Sequence, residues 1–233
     1  MSEEQNRLKS NLNITKRKKA VNKNKSVISS RKTANDIKCK DVNIIFGLDN
    51  GATGTISSIV QYPDNSFDIF FQKTPSYNVM DYQQNIQYIA RIDWKKLKNW
   101  FETILNLVKD NYYKKYKIDI DLKPLVVLER PMINADRFKQ SKNAARAFEA
   151  TLIVLEMLNL ENNYLIIDSK KWQHYFFGKN TILIDLKEAS KNEGIKFLNE
   201  FNKKYKNYIE IIEKHGDADS LLIGKFAFEK LCK

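Results

Sequence analysis

The feature that most constrains the fold is a pair of apolar runs separated by a glycine-rich turn, "IIFGLDNGATGTISSIV" at residues 44–60. Residues 44–49 and 55–62 each predict a strand, because short apolar runs bounded by turn residues are typical of strands. The turn "YPDNS" then leads to a third strand pattern at residues 66–73. We therefore expect a sheet that begins with three antiparallel strands in sequence.

The remainder of the chain alternates between helical and strand patterns. Apolar side chains recur every three or four residues from Trp94 to Val108 behind Asp93, which predicts a capped amphipathic helix of about four turns. Short strands are predicted in "PLVVLERP" and "NNYLIIDS", whereas residues 174–182 show no regular pattern. Further helices are predicted at residues 135–158, 185–193, 194–208 and 217–230. These elements predict an α/β fold with a mixed five-stranded sheet flanked by helices.

Two of the predicted strands end in a carboxylate. Asp49 follows "IIFGL", and Glu129 follows "LVVL". Sites in open α/β sheets lie at the carboxyl ends of the strands, so these two acids face each other if their strands are neighbours. The last predicted helix opens with "DADS", which adds Asp217 and Asp219.

Four carboxylates in one cleft favour a bound cation, because like charges repel strongly at low effective dielectric. Oxygen ligands without cysteine predict Mg²⁺ or Mn²⁺. Taken singly, each acid has an ordinary explanation: Asp49 as a turn residue, Glu129 as the partner of Arg130 or a lysine, and Asp217 as the N-cap of the last helix. Their combination is what indicates a metal site.

These acids lie in motifs that resemble those of the RuvC-type Holliday junction resolvases, particularly the phage-encoded ones, within the ribonuclease H-like superfamily. The motifs are "LDNGATG" around Asp49, "VVLERP" around Glu129 and "DADSLLIG" around Asp219. The segments "IIDSKKWQHYFFG" and "DLKEASKNEGIKFL" are also similar to parts of this family, and the resemblance covers residues 43–230.

The resemblance implies a ribonuclease H-like nuclease domain at residues 41–233 and an endonuclease that cuts branched DNA at four-way junctions as a homodimer. It also implies two Mg²⁺ or Mn²⁺ ions per active site and in-line attack of water on a phosphodiester. In this interpretation Asp49 bridges the two ions, Glu129 holds one and Asp219 holds the other.

The fourth ligand is where this sequence departs from the resolvase pattern. The cellular family has an acid or a histidine three residues before the last aspartate, and that position is Gly216 here. His215 lies four residues before Asp219 and shares its helix face if the helix already includes it, whereas Asp217 fits if the helix begins there. We expect Asp217, since carboxylates suit Mg²⁺ better, and keep His215 as the alternative.

Six basic residues near these motifs are candidates for DNA contact. Basic side chains beside a metal site can bind backbone phosphates, and a solvated helix face accounts for the same pattern equally well. The candidates are Arg137, Lys139, Lys142, Arg146, Lys170 and Lys171.

The turn "LDNGATG" also resembles the first phosphate loop of the actin and sugar-kinase superfamily, whose members transfer phosphate from ATP. Such kinases need a second glycine-rich loop, since backbone amides must approach the nucleotide. The seven glycines of this chain form no second cluster, and 233 residues leave no room for the usual repeat of the fold. A non-catalytic DNA-binding protein of the same fold is the third hypothesis, which the presence of the acids disfavours.

The net charge of +12 is concentrated at the N-terminus, where residues 1–40 carry twelve Lys and Arg against three acids and no aromatic residue. This composition predicts a disordered basic arm that is attracted to phosphates. Cys39 and Cys232 are too few for a disulfide framework, and neither a membrane span nor a secretory signal is recognisable. We expect a soluble cytoplasmic protein of a bacterium or of a bacterial host cell.

Overall fold

The computed structural model describes residues 42–49, 51–81, 88–179, 185–201 and 204–231. The predicted basic arm at residues 1–40 lies outside this part of the chain. The strands are β1 (Asn43–Leu48), β2 (Thr55–Gln61), β3 (Phe67–Lys73), β4 (Ser76–Met80), β5 (Tyr88–Ile92), β6 (Leu125–Glu129) and β7 (Tyr164–Ile167). The α-helices are α1 (Trp94–Tyr116), α2 (Phe138–Met157), α3 (Ser169–Phe177), α4 (Leu186–Asn199), α5 (Lys206–His215) and α6 (Asp219–Leu231), and a short 3₁₀ helix (Ala135–Arg137) precedes α2.

Five of the strands form one mixed sheet in the order β3-β2-β1-β6-β7. The first three strands pair antiparallel, and β6 and β7 then add in parallel to β1. The predicted α/β fold with a mixed five-stranded sheet is therefore confirmed. In the parallel pairing Leu48 lies opposite Leu128, so that β1 and β6 end side by side.

Each face of the sheet is covered by its own helices. Phe46, Leu48, Val126 and Leu128 pack into an apolar cluster with α1 and α2. On the opposite face, Ile59 and residues of β3 pack with α4, α5 and α6. Side chains alternate between the two faces along a strand, which is why β1 and β6 are apolar at nearly every position. None of the described helices is long and apolar enough to cross a membrane.

Helix α6 lies in backbone contact with β1. A β-carbon added to Gly47 would lie 2.2 Å from the Ser220 carbonyl oxygen and 2.6 Å from the Gly224 nitrogen. Ser57 of β2 donates its hydroxyl to the same Ser220 carbonyl at 2.8 Å. Because Gly47 has no side chain, the first turns of α6 can pack directly against the centre of the sheet.

Several helix boundaries differ from the sequence prediction, and the predicted helix at residues 194–208 is wrong, because residues 206–215 form the separate helix α5. Asp93 caps α1 as expected, but α1 continues to Tyr116 because Tyr112 extends its buried stripe. The predicted break at Gly194 is wrong: α4 runs through this residue, whose missing side chain leaves room for the Ala218 side chain. The interpretation of residues 174–177 as irregular is also wrong, because they belong to α3, where Trp172 is buried and packs against Phe177.

A second, two-stranded sheet formed by β4 and β5 was not predicted. The buried Asp81 follows β4 and pairs with two basic residues of α2, Lys142 at 3.0 Å and Arg146 at 3.9 Å. Since β5 also packs against α2, this ion pair joins the small sheet to the helix that follows Glu129.

Candidate metal centre

Asp49 and Glu129 lie at the adjacent carboxyl ends of β1 and β6. Asp49 directly follows Leu48, and Glu129 is the last residue of its strand. Since Leu48 and Leu128 point toward α1 and α2, strand alternation directs the two acids toward the face that α6 covers. Both acids line a cavity of about 250 Å³. The structure therefore brings together the two strand-end acids, as predicted.

The start of α6 brings two further acids to the same place. Asp49, Asp217 and Asp219 each have a carboxylate oxygen within 4.8 Å of such an oxygen on the other two. Asp217 also accepts hydrogen bonds from the Asp219 backbone N–H at 3.0 Å and from the Thr55 hydroxyl at 3.2 Å. Asp219 accepts a hydrogen bond from the Ser190 hydroxyl of α4. Asp217 thus caps the first turn of α6 and belongs to the acidic cluster as well.

Glu129 lies beside this cluster and has its own hydrogen-bond donor. Its Oε2 accepts a hydrogen bond from the indole Nε1 of Trp172 at 3.2 Å. Arg130, the ordinary partner considered for Glu129, pairs instead with Asp168 at 3.0 Å. The alternative in which Glu129 is only the ion-pair partner of Arg130 is therefore wrong. The Glu129 carboxylate remains free to face the other acids.

Burial and mutual repulsion raise the pKa values of three of these acids. Burial is the main cause for Asp49, whose pKa lies well above its ordinary value, and Asp217, Glu129 and Asp219 add repulsion. Burial is also the main cause for Glu129, and repulsion by Asp219 adds to it, so that the pKa of Glu129 is raised to about 7. Burial also raises the pKa of Asp219 to about 6, although Ser190 and Lys187 oppose this change. Without a cation, this arrangement is electrostatically unfavourable.

The donor set fits a hard divalent cation. The cluster offers only carboxylate oxygens, which are the ligands that Mg²⁺ and Mn²⁺ prefer. Neighbouring groups hold these carboxylates in place, as the hydrogen bonds of Ser190, Thr55 and Trp172 show. Such outer hydrogen bonds are typical of metal-binding carboxylates.

The raised pKa values predict how the stability of the metal-free protein depends on pH. The pKa of Glu129 is about 7 in the folded protein, against an ordinary value of 4.5, so the folded state binds this proton more tightly than the unfolded chain. The resulting stabilisation is complete below the ordinary pKa and is lost as the pH rises through the folded-state pKa. We expect the free energy of unfolding to fall by up to about 3 kcal/mol more in the wild type than in Glu129→Gln between about pH 4 and pH 8.

Urea unfolding at a series of pH values in the presence of EDTA measures this difference. Glu161→Gln is the control, because Glu161 is an exposed glutamate in the turn before β7, at the other end of the sheet. It should keep the wild-type pH profile. Identical profiles for the wild type and Glu129→Gln would contradict the prediction.

The glycine turn after β1 packs directly on Asp49. A β-carbon added to Gly54 would lie 2.4 Å from Oδ2 of Asp49 and 2.9 Å from its carbonyl oxygen. The Asp49 backbone N–H donates to the Thr55 carbonyl at 3.2 Å, which closes the turn over the acid. Gly54 is therefore required because any side chain there would occupy the position of the Asp49 carboxylate.

A second cavity, of about 510 Å³, is also lined by Asp49, together with Asp217 and Asp219. His215 lines this cavity as the last residue of α5. Gly216 then takes a left-handed conformation with φ 63°, so the helix of His215 does not continue into α6. His215 therefore does not share a helix face with Asp219, and the expected ligand Asp217 is the one that lies in the acidic cluster.

The six basic candidates for DNA contact have different environments. Arg137 is exposed and lines the 250 Å³ cavity, and Lys170 and Lys171 are exposed in the first turn of α3. Lys142 and Arg146 pair with the buried Asp81, which gives both a structural function. The side chain of Lys139 lies outside the described part of the structure.

The polar residues at the site that sequence reasoning missed include Ser190, Lys187 and Lys73. Ser190 and Lys187 are one turn apart on α4, and this spacing within "DLKEAS" is the only local signal that they share a helix face. Lys73 ends β3 and lines the 510 Å³ cavity together with Lys187. Only the sheet order shows that the end of β3 comes close to the site.

Comparison with models of known protein families finds no match to this chain, and comparison with curated proteins finds none either.

Proposed function

We propose that this protein is a metal-dependent endonuclease of the RuvC type, with a ribonuclease H-like fold, that cuts branched DNA such as four-way junctions. The observation that carries the proposal is the cluster of Asp49, Asp217 and Asp219, with oxygens within 4.8 Å of one another, beside Glu129 on the adjacent strand. The order of these acids along the chain is that of the resolvase motifs. A strand-end pair and a helix-start pair meeting in one cleft is the arrangement that these motifs require.

The four acids would hold two Mg²⁺ or Mn²⁺ ions, which when bound activate a water molecule and stabilise the leaving oxygen of a phosphodiester. The remaining residues of the site position the acids. Trp172 holds Glu129 through its indole N–H, Ser190 holds Asp219, and Thr55 holds Asp217. Trp172, Ser190 and Thr55 are themselves buried in helices and strands of the fold, as an active site with precise ligand positions requires.

The kinase alternative receives no support from the glycines of the described residues. Gly194 packs against Ala218 inside α4, Gly216 ends α5, and Gly224 lies in α6 against Ser57 and Ile59. Each of these three has a packing or capping function, and Gly178 ends α3 with no other glycine near it in sequence, so the described glycines after residue 54 form no second glycine-rich loop. Gly54 likewise contacts the Asp49 carboxylate rather than an open space.

The branched substrate and the assembly follow from the resemblance of the motifs. A four-way junction has two-fold symmetry, so symmetric cutting requires two active sites, and we propose a homodimer acting in the cytoplasm. The predicted basic arm would add phosphate contacts that depend on salt concentration.

A cleavage assay tests this proposal directly. The full chain is incubated with four-way, flap and linear DNA in Mg²⁺, Mn²⁺ or EDTA, and ATP hydrolysis is measured in parallel. We expect paired cuts in the four-way junction that EDTA abolishes. ATP hydrolysis without DNA cutting, or the absence of cutting on every substrate, would contradict the proposal.

The fourth ligand can be decided by comparing Asp217→Asn with His215→Ala. We expect Asp217→Asn to slow cleavage by about 100-fold or more, because it removes a charge next to the metals. Asparagine keeps the cap of α6, so the fold is preserved. We expect His215→Ala to change the rate by less than about tenfold.

The control for His215→Ala is the same substitution at the only other histidine, His174, which is exposed on α3. Single-turnover rates and melting temperatures are measured for all three variants. A large loss in His215→Ala with an unchanged rate in Asp217→Asn would assign the ligand to His215 instead.

A further inference from the structure

The two cavities at the site meet at one residue. The 250 Å³ cavity is lined by Glu129, Arg137 and their neighbours, and the 510 Å³ cavity by Asp217, Asp219 and theirs. Asp49 is the only described residue that lines both. A ligand that contacts all four acids must therefore cross Asp49 and extend into both cavities.

Each cavity has its own cations. Arg137 lines the smaller cavity, and Lys73 and Lys187 line the larger one. All three side chains are exposed, and within the described residues none of them forms an ion pair with a carboxylate. Arg130, the other cation of the smaller cavity, is already paired with Asp168.

Lys187 is held close to the acids without pairing with them. A β-carbon added to Gly216 would lie 3.3 Å from its Cε and 3.9 Å from its Nζ, so the lysine side chain lies along the link between α5 and α6. Its charge lowers the pKa of Asp219. Lys73 lines the same cavity from the end of β3, next to the turn that contains Gly54. The two lysines therefore approach the larger cavity from two different elements.

Charge balance gives these cations a function. Two divalent cations neutralise the four carboxylates, so the metal-loaded site has a net charge near zero and attracts a phosphodiester only weakly. Additional cations on both sides are then needed to hold the flanking phosphates, which bind Arg and Lys through charge-assisted hydrogen bonds. The positions of Arg137, Lys73 and Lys187 match this need.

We propose that the DNA strand to be cut crosses the site at Asp49, with Arg137 binding the phosphate on one side of the scissile bond and Lys187 with Lys73 binding the phosphate on the other side. This inference rests on the proposed function and adds the path of the DNA strand through the site and the residues that position it. It predicts that the two sets of cations recognise opposite neighbours of the scissile phosphate.

The test combines protein variants with uncharged phosphate replacements. The cut position is first mapped with the wild-type protein, and a single methylphosphonate is then placed one phosphate before or after it in a four-way junction. Binding is measured by fluorescence anisotropy in Ca²⁺ for the wild type, Arg137→Gln, Lys187→Gln, Lys73→Gln and the control Lys196→Gln. Lys196 is an exposed lysine of the same helix α4 that does not line the cavity.

Each replacement should weaken wild-type binding by about fivefold to tenfold. Lys187→Gln and Lys73→Gln should lose this sensitivity on one side only, and Arg137→Gln only on the other side. Each of the three variants should also lower the salt dependence of binding by about one phosphate contact, while Lys196→Gln keeps the wild-type sensitivity on both sides.

The outcomes separate this inference from the proposed function. Failure of the wild type to cut any DNA would overturn both proposals. Cutting by the wild type, combined with variants that lose sensitivity on the same side or on neither side, would overturn the strand path alone. Opposite-side loss by Arg137→Gln and Lys187→Gln would support the path.

Discussion

Replacement of Asp49 with Asn is expected to abolish DNA cleavage and, in the absence of metal, to make the protein more stable. Asp49 is a partly buried acid whose pKa is raised by desolvation and by three neighbouring acids, so its ionised form is unfavourable in the folded state. Asparagine has nearly the same shape, keeps the contact with Gly54 and removes the charge. We expect a cleavage rate at least about 1000-fold lower and a rise in melting temperature of about 3 °C or more.

Two measurements check this prediction: single-turnover cleavage in Mg²⁺ and thermal unfolding in EDTA at about pH 8, where the other acids are largely ionised. The gain in stability should disappear at low pH, because the aspartate is then protonated. Asp64→Asn is the matched control, since Asp64 lies in the β2–β3 turn, where it pairs with Lys115. It should cut normally and gain no stability. Normal cutting by Asp49→Asn would exclude Asp49 as a required ligand.

Replacement of Gly47 with Ala is expected to be strongly destabilising. The added methyl group would lie 2.2 Å from the Ser220 carbonyl oxygen and 2.6 Å from the Gly224 nitrogen, and both of these atoms belong to the backbone of α6. The helix must therefore move away from β1, which costs about 3 kcal/mol or more. For a domain of this size the melting temperature should fall by about 10 °C.

This substitution should also impair the site, because α6 carries Asp219 toward Asp49. Binding of Mn²⁺ by the folded fraction, measured by calorimetry below the melting temperature, should be weaker than in the wild type. Gly51→Ala provides the control: a β-carbon there would meet its nearest neighbour at 3.7 Å, an ordinary contact. A melting temperature of Gly47→Ala equal to that of Gly51→Ala would show that α6 is not held by this contact.

The sequence predicted those parts of the fold that depend on local patterns. The strands around Asp49 and Glu129 are apolar runs bounded by turns, and their pairing follows from ordinary hairpin and β-α connections. The β4–β5 pair was missed because β4 is largely exposed and neither strand shows a regular alternation of buried and exposed residues. Gly194 was misread as a helix boundary, because its reason for being glycine is a contact with Ala218 that no local pattern contains.

The site, like the fold, was predictable from the sequence only in part. The positions of Asp49 and Glu129 were predictable, since strand ends gather ligands in α/β sheets. The distance between Asp49 and Asp219 depends on the contact of α6 with Gly47, which is a tertiary property. The pairing of Lys142 and Arg146 with Asp81 was unpredictable for a similar reason, because that acid is distant in sequence and follows an element that was not expected.

The acids of the site are spread along the chain from residue 49 to residue 219. During synthesis, a chain that has been completed only from β1 to α3 contains Asp49 and Glu129. It still lacks Asp217, which precedes α6, and Asp219, which begins it. The cluster can form only when α6 has emerged and packed against Gly47. A nascent chain, or one clipped by a protease before residue 217, therefore lacks half of the acidic set, and the proposed metal-dependent chemistry would require the complete fold.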